Sequence, residues 1–362
     1  MRKRWMSLAL AACMMICLAA CGSNGSDTKA DSGEEKEGGL KAVLIGNQRF
    51  GDNGPMDDMA SGGERAAEEF GMQFKKIESE SASFEEDIRA MSEEGYDLII
   101  TTFNYMSDAT ALVAAEFPDR KYAAIFQELN SEGGEKIENL WDAVFRGQTT
   151  FYVDGYMAGL ATRTNQVGFI VGGEEPGPNA EANGFMRGVR DANPDAEVQF
   201  SYASYEDSAK AKEVALAMID KGCDIIQGDC AAPDAGIIEA AGESGKDVFV
   251  MSCIMDFSED SKNFVGTIKM NYGQAVYDVM KSLSEGNFPG GEQGVRDITN
   301  QGYYLDWEIY DSFASRTENQ EYAKAFTEAI KAGKELEQQI KDGDLEIEFD
   351  PSAPDWNRIK AE

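Results

Sequence analysis

From residue 41 onward, short apolar runs alternate with segments of helical spacing. The runs read KAVLIGN, MQFKKIES, YDLIITTF, KYAAIFQEL, QVGFIVGG, EVQFSYAS, CDIIQGDC, DVFVMSC and FVGTIKM. Several are apolar along their whole length, the pattern of parallel strands covered on both faces. The intervening segments carry readable boundaries. Met56, Met59, Ala60, Gly63, Ala66, Ala67 and Phe70 recur at helical spacing over 55–70, and Gly71 stops that helix. Asp52 or Asn53 would cap it. Gly62 and Gly63, each costing about 1 kcal/mol in a helix relative to Ala, point to close packing. Ser83 with Glu86 offers a capping box, Ser107 a cap for the next helix and Pro118 its end. Such β–α alternation predicts an α/β fold of doubly wound parallel sheets. The pattern runs twice, over roughly 41–148 and again from QVGFIVGG to about 270, and a chain of 362 residues exceeds one typical domain. Two lobes are therefore expected. YYLDWEIYDS reads as a strand pair or loop, and NQEYAKAFTEAIKAGKELEQQIKDG as a long amphipathic helix.

The first forty residues point to export. MRKRW is a positive n-region, and MSLALAACMMICLAA is an apolar stretch too short for a comfortable permanent span. It ends in LAAC, small residues before Cys21, as in a bacterial lipobox. GSNGSDTKADSGEEKEGG follows, with almost nothing to bury, and reads as a flexible tether. The expected product is lipid-anchored at Cys21 on the extracytoplasmic face of the membrane.

Charge and composition narrow the chemistry. Asp and Glu number 66 against 33 Lys and Arg, a net charge of −33, which repels phosphate and argues against nucleic acid. Histidine is absent, so the commonest general base and transition-metal ligand are both missing. GxSxG and Walker A loops are absent as well. An enzyme, a cofactor and a bound metal are not expected. Cys223, Cys230 and Cys253 lie in or beside apolar runs and read as core thiols. The DGD at 342–344 lacks the later ligands of a calcium loop.

In open parallel sheets, ligands bind beyond the carboxyl ends of the strands. The candidates are therefore the residues just after each run: Phe50, Asp52, Asn53, Met56, Phe103, Asn104, Tyr105, Gln127, Tyr205, Asp229, Ser252 and Lys269. Aromatic faces with a few placed polar groups suit a small, flat, hydrogen-bonding ligand. Lys269, at the end of an apolar strand, needs an acidic or ligand partner.

The lipobox, the repeated α/β pattern and the strings EEGYDLIITT, TTFYVDGYMAGLAT, ANGFMRGVRDANPDAEV, IDKGCDIIQG and VGTIKMNYGQAVYDVMKSLSEGNFPGG resemble the basic membrane protein family. These are lipoprotein substrate-binding components of ABC importers, and they include purine nucleoside receptors. The resemblance implies a type I periplasmic-binding-protein fold with a hinge of crossover strands. It implies a signal peptide over 1–20, a lipidated Cys and tether over 21–40, and an N-terminal lobe of 41–148 plus about 271–288. A C-terminal lobe of 149–270 plus about 289–315 follows, with a C-terminal helix and tail over 316–362. It also implies a monomer that meets ABC permease subunits and touches the membrane only through its lipid.

The family's pocket carries over in part. Asp52 matches an acidic position of the first ligand loop, while Pro55 or Met56 stands where a stacking Phe is usual. Phe126 or Gln127 and Ser252 stand where the family uses acids that grip ribose. Tyr205 and Lys269 match a stacking aromatic and a strand-end lysine. Phe50, Phe103 and Tyr105 are candidate replacements for the missing ring. The expected ligand is thus a small heterocycle of the nucleoside or nucleobase class. A ligand-sensing receptor feeding a signalling partner, and an adhesin with a vestigial cleft, are the alternative readings.

Overall fold

A computed structural model describes residues 39–51, 54–131 and 133–362. Cys21, Asp52 and Asn53 lie outside the described residues. In the first half of the chain the elements are β1 (Lys41–Gly46), α1 (Pro55–Phe70), β2 (Gln73–Glu78), α2 (Phe84–Glu93), β3 (Leu98–Thr102), α3 (Ser107–Glu116), β4 (Lys121–Ile125), β5 (Leu140–Phe145), α4 (Gln148–Ala161) and β6 (Gln166–Val171). Then come α5 (Pro176–Ala192), β7 (Glu197–Tyr202), α6 (Ser208–Asp220), β8 (Ile225–Asp229), α7 (Asp234–Glu243), β9 (Phe249–Cys253) and β10 (Phe264–Met270). The last part holds α8 (Tyr272–Ser284), β11 (Gln293–Arg296), β12 (Tyr303–Leu305), α9 (Trp307–Arg316), α10 (Gln320–Lys341) and α11 (Trp356–Ala361).

The strands form two sheets of the same design. One has the order β11-β5-β4-β3-β1-β2 and the other β12-β10-β9-β8-β6-β7. All pairings are parallel except β12 on β10. The central strands are buried along their length, as their apolar runs require. Each sheet with its helices is one lobe.

The chain passes between lobes at 146–147, at Asn271 and at 297–302. Residues 293–296 fall within the stretch expected in the second lobe, but β11 pairs with β5 in the first sheet. Its brevity and polarity (QGVR) hide it from a search for apolar runs. The strand β5 escapes the same search because Asp142 interrupts LWDAVF. That side chain is fully buried and accepts from Leu129 N, Asn130 N and Gln293 Nε2 at 3.0–3.1 Å, tying β5 to its neighbouring loop and to β11.

Several local expectations change. Gly54 is the N-cap residue of α1. Ser83 caps α2 without a side-chain hydrogen bond, and Ser107 is already helical, preceded by Met106. YYLDWEIYDS is a three-residue strand and a helix, whose first turn Asp306 caps by accepting from Ile309 N. The helices α1 and α8 pack backbone to backbone: a Cβ on Gly62 would stand 1.9 Å from Gly273 O. Beyond α10 the tail is strapped across α5. Asn183 Nδ2 donates to Asp350 O and Ser352 O, both at 2.9 Å, and Arg187 pairs with Asp350 at 3.1 Å, both side chains largely buried. Among the described residues, no helix is long and apolar enough to cross a membrane.

Candidate functional site

The ends of the strands are conformationally strained. Phe103 follows β3 at φ 60°, Phe126 follows β4 at 57°, and Ile254 follows β9 at 74°. Ala231, two residues past β8, has φ 60°. In each of the first three the N–H still bonds the adjacent strand: Phe103 N to Ile125 O, Phe126 N to Ala143 O and Ile254 N to Ile268 O. The chain then turns through a region that bulky residues rarely occupy, costing about 1–3 kcal/mol each. Such strain is concentrated here at the carboxyl edges of both sheets, where the lobes face each other.

Aromatic rings fill the seam beside the crossovers. Phe145 precedes the first crossover, Tyr272 follows the second and Tyr303 the third. Tyr272 packs against Phe145 at 4.8 Å between centroids, Phe126 at 6.0 Å and Phe103 at 6.1 Å, and Phe145 lies 6.1 Å from Tyr303. These spacings are those of attractive ring pairs. Next to them opens a cavity of about 280 Å³. Asn104, Phe126, Gln127, Glu128 and Val144 to Arg146 line it from the first lobe, and Glu175 to Gly177 from the second. Arg146 is held on both sides, 3.1 Å from Glu128 and 4.2 Å from the Phe349 ring of the tail.

Gln127 presents a fixed acceptor. Its Nε2 lies 2.9 Å from Thr101 Oγ1, which lies 2.9 Å from Thr110 Oγ1, itself 2.8 Å from Met106 O. Thr101 Oγ1 accepts from both Thr110 and Gln127 Nε2, which leaves Gln127 Oε1 as the free end of the amide. That oxygen is buried and has no partner.

The second lobe buries carboxyls without cations. Glu181 in α5 accepts from the Tyr303 hydroxyl at 2.6 Å, and its carboxyl meets that of Asp229 at the end of β8. Burial pushes both pKa values up; for Asp229 the charge of Glu181 adds to the rise. Burial pushes Asp234 up to about 8, although Cys230 N donates to it at 3.0 Å. Asp154 is likewise raised by burial, with Tyr310 donating to it. Among the described residues none of these four pairs with a Lys or Arg.

The profile of the Bmp family, described as ABC transporter substrate-binding protein PnrA-like, matches residues 40–339. The chain belongs to that family. A Lactococcus lactis relative described as an ABC transporter nucleoside-binding protein, BmpA, is 27% identical over 331 residues, spanning 84% of this chain and 92% of the relative. Basic membrane protein B of Borreliella burgdorferi is 29% identical over 223 residues, 60% of this chain and 65% of the relative. Among solved structures, ABC transporter solute-binding proteins of Aeropyrum pernix and Conexibacter woesei superpose with TM-scores of 0.70 and 0.66. Each is 21% identical; they cover 89% and 86% of this chain, and 96% and 99% of their own. They establish the type I periplasmic-binding-protein fold expected from the sequence.

Within this Bmp fold the sequence-predicted residues separate into groups. Asn104 and Gln127 line the cavity, and Phe103 packs behind Phe126. Tyr205 lies flat on a glycine turn: a Cβ on Gly172 would stand 2.1 Å from its ring. Tyr205 is 38% exposed, and burial and then the charges of Asp229 and Glu175 raise the pKa of its hydroxyl. Tyr105 projects outward, 69% exposed.

Other candidates are committed elsewhere. Phe50 leans on the edge strand β2, its N–H bonded to Glu78 and its ring under Lys76. Met56 is buried over Gly46, and Ser252 holds its own loop by donating to Met255 O at 2.8 Å. Lys269 donates to Ile254 O at 2.9 Å, so its partner here is the carbonyl of a strained residue rather than an acid. Sequence reasoning did not single out Phe145, Arg146, Glu181, Tyr272 or Tyr303. Glu181 lies inside a helix and the others beside crossovers, where a rule about strand ends does not look. Among the described residues no cluster of metal-ligating side chains is present.

Proposed function

We propose that this Bmp-family substrate-binding protein is a monomeric lipoprotein, anchored through Cys21 outside the cytoplasmic membrane. Its cleft takes a small heterocycle of the nucleoside or nucleobase class and passes it to an ABC permease. The observation that carries the reading is a cavity bounded on one side by Phe126 and Phe145 and furnished with the oriented amide of Gln127. Flat apolar faces and one fixed hydrogen-bonding group suit a planar heterocycle. The nucleoside-binding name of the Lactococcus relative supports the same class. Asn104, Phe103 and Tyr205 complete the proposed contacts. Tyr105 stands at the rim and Ser252 supports the second-lobe loop. Ligand binding draws the lobes together about the crossovers, and the permease reads the closed form. No bond is broken.

The test is a thermal-shift panel on the chain from Gly22 onward, followed by calorimetry. Residues 39–362 form one compact unit, so this chain retains the described fold. Bases, their nucleosides and modified nucleosides are compared. A ligand at about 100 times its Kd stabilises by roughly 2.7 kcal/mol. Free bases shifting the melt more than ribonucleosides is the expected result, because by the family resemblance Phe126 or Gln127, and Ser252, stand where acids that grip ribose are usual. A panel without any hit overturns the ligand class. Separately, Cys21→Ser is expected to move the chain from the membrane fraction to the medium or periplasm.

A further inference from the structure

The tail that follows α10 is fixed to one lobe and touches the other. LEIEF, residues 345–349, alternates apolar and acidic side chains. Leu345 and Ile347 pack on the main core, Glu346 and Glu348 are exposed, and Ile347 O accepts from Gln148 Nε2 at 3.4 Å. From Asp350 onward the tail is bound to the second lobe. Asn179, Asn183, Arg187 and Arg190 recur at helical spacing along α5. Asn179 Nδ2 donates to Pro351 O at 3.2 Å, Asn183 holds Asp350 O and Ser352 O, Arg187 pairs with the Asp350 carboxylate, and Arg190 donates to Ile359 O at 2.9 Å. Trp356 Nε1 donates to Glu197, the first residue of β7, at 2.7 Å.

Phe349 carries this tail to the first lobe, where its ring covers the Arg146 guanidinium at 4.2 Å. Arg146 is the last first-lobe residue before the chain crosses. Its N–H still bonds Arg296 O of β11 at 2.9 Å, and its side chain pairs with Glu128 at 3.1 Å. Arg146 and Glu128 both line the cavity. The hinge therefore lies between the two partners of the ring contact. A rotation at 146–147 moves Arg146 with the first sheet while Phe349 stays with α5. A cation and a ring attract only within about 6 Å, so a large change of angle breaks the pair. Phe349 and Asp350 also lie past residue 339, where the match to the Bmp profile ends.

We propose that Phe349 is a clasp on the hinge, which sets the angle at which the lobes rest and holds Arg146 against the cleft wall. Phe349 is a positioning residue and touches the cleft only through Arg146. The clasp goes beyond the transport reading and does not depend on the ligand class, so it is tested without ligand.

Spin labels at Asp108→Cys and Ser208→Cys, exposed positions in the first turns of α3 and α6, report the separation of the lobes on the chain from Gly22 onward. The native thiols Cys223, Cys230 and Cys253 are buried and leave the labels distinct. Phe349→Leu keeps apolar bulk and loses the ring. It is expected to raise the share of long interlobe distances about threefold or more. Phe349→Tyr keeps the ring and should keep the parent distribution. Arg146→Gln leaves the tail's bonds to α5 in place and should give the same shift as Phe349→Leu, with nothing added in the double variant. Melting curves confirm that each variant folds. Parent-like distances in Phe349→Leu, or shifts that add in the double variant, overturn the clasp. Either result leaves the heterocycle reading standing, which fails separately if the ligand panel has no hit.

Discussion

Gly147 and Glu181 meet across the first crossover: a Cβ on Gly147 would stand 2.4 Å from Glu181 Oε1 and 2.8 Å from the Tyr303 ring. With φ −84° the glycine is needed for space and not for conformation. Gly147→Ala forces a buried carboxyl and its tyrosine partner apart. The expected cost is about 1–3 kcal/mol, read as a lowered denaturation midpoint at unchanged m-value. A variant as stable as the parent would show that the crossover has slack.

The buried carboxyls give stability an acid-side optimum. Asp234 titrates near 8 in the fold, and Glu181 and Asp229 are raised as well, whereas an unfolded carboxyl titrates near 4. The folded chain therefore keeps protons that the unfolded chain has shed. This contribution is full below about pH 4 and is lost as pH rises toward 8, at roughly 1.4 kcal/mol per pH unit for each proton involved. Melting temperature should fall between pH 5 and pH 8.5, and Asp234→Asn should flatten the fall. A melt independent of pH over that range would contradict the raised values.

Phe103 combines φ 60° with ψ 155°, a region close to glycine-only. Removing the ring costs packing in any variant, but only glycine relaxes the backbone. Phe103→Gly is expected to be more stable than Phe103→Ala by about 1 kcal/mol or more. The reverse order, in paired chemical-denaturation curves, would place the strain elsewhere.

Tyr205 depends on Gly172 for its place. Gly172→Ala puts a methyl group into the tyrosine ring and should lift it off the turn. Because the ring is partly exposed, stability should change by less than about 1 kcal/mol, while affinity for any ligand found in the panel falls severalfold. Loss of stability without loss of affinity would make Tyr205 a structural residue.

Asp350 anchors the tail through Arg187 and Arg358, at 3.1 and 2.9 Å. Asp350→Ala leaves Arg187 poorly matched in a largely buried position, an effect of about 1–3 kcal/mol. Limited proteolysis should then cut within residues 345–362 before the lobes are attacked. Equal protection of variant and parent would show that backbone bonds to Asn183 suffice.

The alternation of apolar runs made the two sheets legible, because parallel strands buried on both faces leave an uninterrupted signature such as AVLIG or VGFIV. The signal fails where burial is polar or pairing brief. Asp142 sits in a fully buried strand because backbone N–H groups satisfy it, and β11 pairs through only four residues. Of the candidate cleft, the residues that follow strands are legible: Asn104 and Gln127 beside the cavity, and Phe103, Tyr205 and Asp229. Glu181, Tyr272 and Tyr303 are not. Glu181 sits mid-helix, and Tyr272 and Tyr303 reach the seam only through crossovers that no local pattern announces. Lys269 shows the limit of reasoning by charge, since a strained backbone carbonyl can take the place of an anion.

The three passages of chain between the lobes mean that neither lobe is a continuous stretch of sequence. The first sheet closes only when β11 arrives, after the second lobe's β10 is already in place along the chain. A ribosome therefore releases most of the second lobe before the first can be completed. The two halves are committed to maturing together, and no single break or splice can hand one of them, intact, to another protein.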